Sequence, residues 1–497
     1  MAGASAGAGA SQWLQEQGAT VTCICGLVVD VDAELLSTLL TSLPALKSVR
    51  RLDAVSGLTL RPLPGAAVAA AQHFLAGAAR AIGRCSCLQD LDLNIDLADD
   101  LADWVPATFW QYLGNACALV DLELTIRSGA ADPHGGLATP NVSHVITGLA
   151  GLSRLRTLTL SVEDYGEAAT LPACVSRLIQ LTFLCMKGLS GLRCAPGWAR
   201  LPALECLKFR DCEFARDGED ALPGMDALAS LTEFEVLDCP GLHELPASLW
   251  RLTRLRGLGD WRFDDVPPAA CPPASAPCYA SLTELCLVGH QLRDWPACVL
   301  AMTSLTCLVL RGNGFEELPD AVSVVTALRV LRLGRHASAF GEIGGVLDAR
   351  ALSDLAGFPN LCSLDFENCS VQFCPSFQAA AAHPRLKELG LITSYPARGP
   401  SCGAFLGFVV ALLQQGRAGV LDLQDSVVQG AGRHDGQNFR GALQAVGFPL
   451  CDDDDGGDGE GEGESEGDND DGDGEGDGEG QGQGAHVDAD EHIADAE

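Results

Sequence analysis

The chain of 497 residues lacks the long apolar runs that cross membranes. A transmembrane helix needs about 18 or more consecutive apolar residues, and no segment reaches that length. The first ten residues, MAGASAGAGA, have neither the basic start nor the apolar core of a secretory signal. We therefore expect neither a membrane span nor a signal peptide.

Basic residues are scarce: 32 Lys and Arg stand against 66 Asp and Glu, for a formal net charge of −34. Residues 452–497 hold 21 of the acidic side chains and no Lys or Arg, which leaves −13 for the rest of the chain. Nucleic-acid binding depends on clustered Lys and Arg that displace counterions from phosphates, and the chain has no basic run. We therefore expect no nucleic-acid partner.

Among 21 cysteines there is no C-x-x-C pair, and the number is odd. This distribution predicts reduced, mostly buried thiols and no metal centre, which suits the cytoplasm, with the nucleus or a ciliary axoneme as alternatives. No nucleophile, base and orienting group occur together at a motif spacing. The sequence therefore predicts no enzyme activity and no cofactor.

Leucine, in contrast, recurs at a fixed spacing. Residues 305–319 read L-x-x-L-x-L-x-x-N-x-F followed by a Leu-Pro step. In a short strand side chains alternate between faces, so Leu308 and Leu310 are expected to point inward and Val309 and Arg311 outward. Asn313 then turns the chain, because its amide can both donate to and accept from backbone groups at the corner. One such unit cannot bury its own leucines, so units must stack.

This pattern resembles the leucine-rich repeat. The resemblance implies an α/β solenoid, with a parallel sheet on a concave face and short 3₁₀ or irregular segments on a convex face. Leu-Pro steps, as at Leu171-Pro172, make the array similar to plant-type intracellular leucine-rich repeat proteins. The repeats are predicted to start at Leu88, Leu119, Leu155, Leu181, Leu204, Leu231, Leu258, Leu282, Leu305, Leu328, Leu361 and Leu386.

One repeat breaks the pattern. A frame starting at Leu255 would place Asp260 at an inward position, where an unpaired carboxylate would cost several kcal/mol. We therefore shift this frame to Leu258 and expect Trp261 to take the inward position.

The predicted domains follow from these patterns. Residues 1–12 form a disordered N-terminus, 13–84 an N-terminal cap or degenerate repeats, 85–396 an array of about 12 repeats, 397–450 a C-terminal cap with a helix at 405–413 and a strand at 420–423, and 451–497 a disordered Gly/Asp/Glu-rich tail. Insertions at 128–148 and 335–355 are expected to be extended loops.

In the leucine-rich repeat family, binding residues are typically outward strand positions on the concave face. The resemblance assigns this role to Asp90, Asp92, Asp121, Glu123, Lys187, Lys208, Arg210, Glu233, Glu235, Val309 and Arg311. Cys286, Val288 and Cys307 join Val309 as an apolar patch on the same face. The corner position of Asn313 is occupied in other repeats by Cys212, Cys239 and Cys369, which we expect to be structural ladder residues.

The resulting hypothesis is a monomeric, non-enzymatic scaffold that binds a protein partner on its concave face. Two alternatives stay open. One segment resembles the start of an F-box, which would make the chain a substrate receptor of a ubiquitin ligase. Its residues are Asp32-Ala-Glu34-Leu35-Leu36, followed by Leu39, Leu40, Leu43 and Pro44. The acidic tail would instead suit a chaperone for basic proteins.

Overall fold

The computed structural model describes residues 23–24, 50–52, 58–60, 68–97, 105–128, 142–163, 169–215, 220–242, 245–261, 276–290, 292–318, 320–335, 344–349, 352, 355–367, 369–392, 394–396, 400–422, 443 and 445–447. All of them belong to one compact unit that ends at residue 449. The predicted disordered N-terminus, the F-box-like segment and the acidic tail lie outside the described residues.

The strands are short, and most follow the leucine frame. They are β1 Cys23–Ile24, β2 Arg51–Leu52, β3 Leu58–Leu60, β4 Asp90–Leu97, β5 Asp121–Ser128, β6 Thr157–Glu163, β7 Thr170–Leu171, β8 Phe183–Lys187, β9 Arg193–Cys194, β10 Cys206–Arg210, β11 Glu233–Leu237, β12 Gly257–Trp261, β13 Glu284–Val288, β14 Cys307–Asn313, β15 Val330–Arg335, β16 Gly344–Asp348, β17 Ser363–Glu367, β18 Cys369–Gln372, β19 Glu388–Ile392, β20 Tyr395–Pro396 and β21 Leu421–Asp422.

Helical segments connect many of these strands. The α-helices are α1 Val68–Gly83, α2 Ala107–Leu113, α3 Val142–Leu149 and α4 Pro400–Gln414. The 3₁₀ turns are Ala173–Arg177, Met225–Ala227, Leu249–Arg251, Pro277–Ala280, Ala297–Ala301, Asp320–Val324, Leu355–Gly357, Pro375–Ala382 and Ala418–Val420. Within the described residues, no helix is both long and apolar enough to cross a membrane.

Among the described residues, the main sheet has sixteen strands, and all its pairings are parallel. Its order is β1-β2-β4-β5-β6-β8-β10-β11-β12-β13-β14-β15-β17-β19-β21, with β3 paired to β4. From β4 to β19, consecutive repeats thus contribute neighbouring strands, as expected for stacked units. The predicted solenoid with a parallel sheet and short 3₁₀ turns is confirmed.

The core consists of the leucine positions of the frame, stacked in rows beneath the sheet. Leu305, Leu308 and Leu310 of one repeat are each 0% exposed. In register with them, Leu331 and Leu333 of the next strand are also 0% exposed. Each row therefore removes its apolar surface from water only because the neighbouring repeats cover it.

The first repeats differ from the prediction, since α-helices take the place of 3₁₀ turns. An extended loop was predicted for 128–148. Its last residues instead belong to helix α3, which begins at Val142, so the prediction is wrong there. The helices fit together through small residues: a Cβ at Gly148 would lie 2.3 Å from the Trp110 Cβ of α2. The apolar periodicity of Val142, Val145, Ile146 and Leu149 was the signal for this helix.

The insertion at 335–355 is also more ordered than predicted. It contributes β16, which pairs with β18 in a second parallel sheet of three strands, β16-β18-β20. The isolated bridge between Glu317 and Asp348 links the start of one convex segment to this small sheet. The insertion therefore contains a strand, Gly344–Asp348, where an extended loop was predicted.

The frame shift predicted at Leu258 is wrong. Strand β12 pairs with both neighbours without a register break, and Asp260 is in register with Val236 and Leu287. Leu255 and Leu258 are both buried, so the repeat keeps the ordinary frame that starts at Leu255. Continuous hydrogen bonding along the ladder fixes this register, and it outweighs the cost assigned to one carboxylate position.

The C-terminal segments lie close to their predicted positions. Helix α4 contains the predicted helix 405–413, and β21 lies within the predicted strand 420–423. The helix covers the last repeats with Phe405 and Phe408, whose rings stack near Phe373 and Phe377 at centroid distances of 5.2 and 5.1 Å. The domain limits proposed from the sequence stay predictions.

Candidate functional site

The strands β4 to β19 present a row of alternating side chains on the side opposite the leucine core, which we call the strand face. In β10, Leu207 and Phe209 are buried, whereas Cys206, Lys208 and Arg210 are half-buried on the strand face. Because the strands are parallel and in register, outward residues of successive repeats form continuous rows across the sheet.

The first part of the strand face is acidic. Asp90 is in register with Asp121, and Asp92 with Glu123, so four predicted binding residues lie together on two adjacent strands. They line a shallow depression of about 180 Å³. Arg51 of β2 borders the same depression and supplies the basic side chain of its lining.

Lys208 and Arg210 form a single ion network with Glu235, and all three are predicted binding residues. The Lys208 Nζ lies 2.7 Å from Glu235 Oε2, and the Arg210 Nη2 lies 2.7 Å from Glu235 Oε1. Arg210 adds a second donor, because its Nε donates to the same oxygen at 3.1 Å. Glu235 thus neutralises much of the positive charge of Lys208 and Arg210, while Lys187 stays exposed at the end of β8.

The ion network shifts the pKa values of Glu235 and Lys208 in the directions that favour their charged forms. Burial alone would raise the pKa of Glu235, but the hydrogen bonds and charges of Lys208 and Arg210 lower it below its ordinary value of 4.5. Burial would lower the pKa of Lys208, but the hydrogen bond and charge of Glu235 raise it above 10.5. The ion network is therefore fully charged at neutral pH.

Beside the network lies a gap in the side-chain rows, which we call the glycine slot. Its floor is Gly257 and Gly259 of β12, and its walls are Glu233 and Glu235 of β11 and Glu284 and Cys286 of β13. The depression that contains it measures about 670 Å³. Packing does not require a glycine at position 257. A Cβ there would lie 3.5 Å from Glu233 Cγ, which is an ordinary van der Waals contact.

The predicted apolar patch is less exposed than its sequence suggests. Val288 and Val309 are buried, at 7% and 5% exposure, and only Cys286 and Cys307 are half-buried. Burial, with the neighbouring Cys307 and Glu284, raises the pKa of Cys286 to about 12. Burial and a hydrogen bond to Glu233 likewise keep the pKa of Cys206 high, at about 12. Both thiols are therefore protonated and poorly nucleophilic at neutral pH.

Arg311 takes part in a contact that spans three strands. Its Nε lies 3.1 Å from Glu367 Oε2 of β17, across the intervening β15. The two atoms form an ion pair, although the N–H is not aligned for a hydrogen bond. Gly334 of β15 is in register with Glu367, which approaches so closely that a Cβ at Gly334 would lie 2.9 Å from the Glu367 Cβ. Nearby, Arg332 Nε donates to Asp365 Oδ2 at 3.1 Å.

Two of the corner residues, Asn313 and Cys212, contact the backbone in equivalent ways. Asn313 is fully buried, and its Nδ2 donates to the carbonyls of Leu287 and Arg311 at 2.8 and 3.2 Å. The Cys212 Sγ donates to the equivalent carbonyls of Met186 and Arg210 at 3.4 and 3.3 Å. Cys239 Sγ donates to Leu237 O at 3.3 Å, and Ser394 Oγ accepts from the Cys369 N at 3.1 Å. All these cysteines are free thiols.

This combination of leucine rows, a parallel strand ladder and corner residues bonded to the preceding repeat decides the fold. The chain is a leucine-rich repeat solenoid. In the part that the structure describes, no three His, Cys, Asp or Glu side chains are grouped to hold a metal ion. The outward side chains of the described strands are the functional groups of a candidate binding surface.

Comparisons with known proteins concern the same fold. No protein-family model matches the chain, and no curated protein matches it. Among solved structures, an internalin of Listeria monocytogenes shares 14% identity at a TM-score of 0.43 and covers 83% of this chain and 88% of its own. A leucine-rich repeat protein of Leptospira interrogans shares 15% identity at a TM-score of 0.43, over 76% and 97%.

A third structure is the leucine-rich repeat ectodomain of a plant membrane receptor kinase of Arabidopsis thaliana, in complex with CASPARIAN STRIP INTEGRITY FACTOR 2. It shares 17% identity at a TM-score of 0.45 and covers 77% of this chain and 39% of its own length. At such identities no ligand carries over to this solenoid, and its plant-type subclass stays a prediction.

The structure also shows what the sequence analysis missed on the strand face. Glu284, Gly257 and Gly259 complete the glycine slot, and Arg332, Asp365 and Glu367 complete the ion pairs at the far end. The same outward frame could have identified Glu284 and Asp365, since each lies beside a buried leucine of its strand, Leu285 and Leu364. The pairing of Arg311 with Glu367 had no sequence signal, because a repeat with an insertion lies between them.

Proposed function

We propose that this solenoid is a non-enzymatic scaffold that binds a protein partner on its strand face. The observation that carries the proposal is the strand face itself, a continuous parallel surface on which charged side chains are ordered by ion pairs at 2.7 to 3.1 Å. A surface with fixed polar groups, extended over many strands, suits recognition of another folded surface better than recognition of a small molecule.

The properties of the thiols support a binding role over a catalytic one. Nucleophilic cysteines have a lowered pKa, whereas the pKa values of Cys185, Cys206, Cys286 and Cys307 on the strand face are all raised, in each case chiefly by burial. The cysteines therefore serve as small, weakly polar packing residues. A cytoplasmic location, a monomeric state and the absence of cofactors belong to the same proposal.

Site-directed photo-crosslinking in the native cell extract tests this proposal. A photoreactive amino acid replaces Lys187 or Glu123, two exposed residues on the strand face of the full-length chain. Control positions are Arg154 and Arg254, exposed residues in the turns before β6 and β12. We expect one crosslinked protein from the strand-face positions and none from the controls. Crosslinks from the control turns alone would overturn the proposal.

A further inference from the structure

The strand face contains two places where a glycine separates charged residues on the flanking strands. At the first, Gly334 lies between Arg311 of β14 and Glu367 of β17, and the two side chains reach each other across it at 3.1 Å. Their side chains are only 25% and 28% exposed. The missing side chain on the middle strand therefore makes room for an ion pair that the chain supplies from its own residues.

At the second place the basic half of such a pair is missing. Gly257 is in register with Glu233 on one side and with Glu284 on the other, so both flanking residues are acidic. Both glutamates are exposed, and neither forms an ion pair with another described residue. The two cations that line the same depression, Lys208 and Arg210, are bound to Glu235. The glycine slot thus holds uncompensated negative charge around an open floor.

The dimensions of the slot define the group that fits. Neighbouring strands lie about 4.8 Å apart, so the two walls are about 9.5 Å apart at the backbone. A planar guanidinium with donors on both edges can bridge two carboxylates at such a spacing, and its aliphatic stem can lie on an apolar floor. The floor here is the Cα groups of Gly257 and Gly259. An ammonium has three donors but is more compact and lacks the planar, two-edged shape, so it fits this spacing less well.

The wider lining points to the same partner chemistry. The charged residues around the depression are the basic pair Lys208 and Arg210 and the acidic residues Asp211, Glu233, Glu235, Asp238 and Glu284. The acidic side chains outnumber the basic ones, which favours a cationic occupant by charge complementarity. Since the slot opens along the strand face rather than into an enclosed cavity, its occupant belongs to a larger surface.

We infer that the glycine slot receives an arginine side chain from the surface of a partner protein, with the guanidinium between Glu233 and Glu284 and the stem over Gly257. This inference rests on the proposed function, and it names the group by which the partner is recognised. Gly257 and Gly259 are then specificity residues, because any larger side chain at either position would occupy the space of the arginine stem.

Binding of short peptides to the full-length chain tests the inference directly. The probes are acetyl-Ala-Arg-Ala-amide, its Lys counterpart and its Gln counterpart, titrated by NMR at low salt. We expect the arginine peptide to bind most tightly, with a loss of about fivefold for each carboxylate removed by Glu233→Gln or Glu284→Gln. Binding should also weaken as salt rises, because the contacts are exposed and ionic.

Matched variants separate occupation of the slot from general charge effects. Glu316→Gln removes an exposed glutamate outside the strand face and should leave binding unchanged. Gly257→Leu should abolish binding, whereas Gly77→Leu, at an exposed helical glycine with no atom within 4 Å, should not. Equal binding of the Arg and Gln peptides, or unchanged binding by Glu284→Gln, would overturn the inference. Glu284→Gln keeps the test valid even where Gly257→Leu unfolds the repeat.

The partner captured by photo-crosslinking at Lys187 distinguishes the two proposals. If Glu284→Gln and Gly257→Leu leave that crosslink unchanged, the arginine slot is wrong while the strand-face scaffold stands. If no strand-face position gives a crosslink, the scaffold proposal fails whatever the peptides show. Loss of the crosslink in both slot variants, with retention in Glu316→Gln, supports both.

Discussion

The side-chain amide of Asn313 donates to the carbonyl of Leu287 at 2.8 Å and so ties the end of β14 to the preceding repeat. Its oxygen also accepts from the Leu292 N at 3.1 Å, and the whole side chain is buried. Asn313→Ala leaves these backbone groups without a partner, so we expect the free energy of unfolding to fall by about 3 kcal/mol. Urea denaturation followed by circular dichroism measures the loss.

Two further variants give this prediction its control. Asn115→Ala, at an exposed position, should change the free energy of unfolding by no more than about 0.5 kcal/mol. Asn313→Cys should be milder than Asn313→Ala, because Cys212 makes the equivalent donations to Met186 and Arg210 in its own repeat. If Asn313→Ala proves as harmless as Asn115→Ala, the corner residue does not join the repeats.

The corner illustrates what the sequence could predict. The leucine spacing and the corner position depend only on residues within one repeat, so Leu308, Leu310 and Asn313 were placed correctly from the pattern alone. The frame at Asp260 was misplaced because a local cost, the carboxylate, was weighed without the hydrogen bonds to two neighbouring strands. Those bonds are set by repeats on both sides and cannot be read from one repeat.

The strand face shows the opposite case. Lys208, Arg210 and Glu235 were each predicted as outward residues, but their mutual neutralisation depends on the register between β10 and β11, 27 residues apart for Lys208 and Glu235. The glycine slot likewise needs three strands in register before it becomes visible. The sequence therefore predicts which side chains are displayed, whereas contacts between repeats decide which charges remain available.

The ion network predicts a specific pH dependence of stability. The pKa of Glu235 is lower in the folded protein, so its stabilisation is present at neutral pH and is lost as the pH falls below about 4.5. The pKa of Lys208 is raised, so its stabilisation is present below pH 10.5 and is lost as the pH rises through the raised value. Glu235→Gln should therefore lower the free energy of unfolding by up to about 1 kcal/mol at pH 7, and by less at pH 3.

The control for Glu235→Gln is the same substitution in a chain that lacks the basic partners of Glu235. In a chain that already carries Lys208→Met and Arg210→Met, Glu235→Gln should no longer destabilise, because the partners that favour the carboxylate are gone. Urea melts of all four chains at pH 3 and pH 7 complete the comparison. An equal loss in both backgrounds would show that Glu235 acts through packing and not through its ion pairs.

The strand-face thiols should react slowly with alkylating reagents. With a pKa of about 12, Cys286 is thiolate in only about one molecule in ten thousand at pH 8. Mass spectrometry of peptides after iodoacetamide treatment should show Cys286 and Cys206 labelled far more slowly than the exposed Cys117. Labelling of Cys286 at the rate of Cys117 would contradict the buried, protonated state and reopen a nucleophilic role.

Two glycines at outward positions of the same sheet should respond differently to the same substitution. A Cβ at Gly334 would lie 2.8 Å from the Glu367 carbonyl oxygen, a backbone atom that cannot move aside, whereas a Cβ at Gly257 has 3.5 Å to the flexible Glu233 Cγ. Gly334→Ala should therefore lower the free energy of unfolding by about 2 kcal/mol, and Gly257→Ala by no more than about 0.5 kcal/mol. Thermal melts of the two variants make the comparison.

Gly334 is required by the close approach of β17, which brings Glu367 within reach of Arg311, while Gly257 is not required by packing at all. A large loss in Gly257→Ala would mean that this glycine serves the fold, and the open floor of the slot would then need no ligand to explain it.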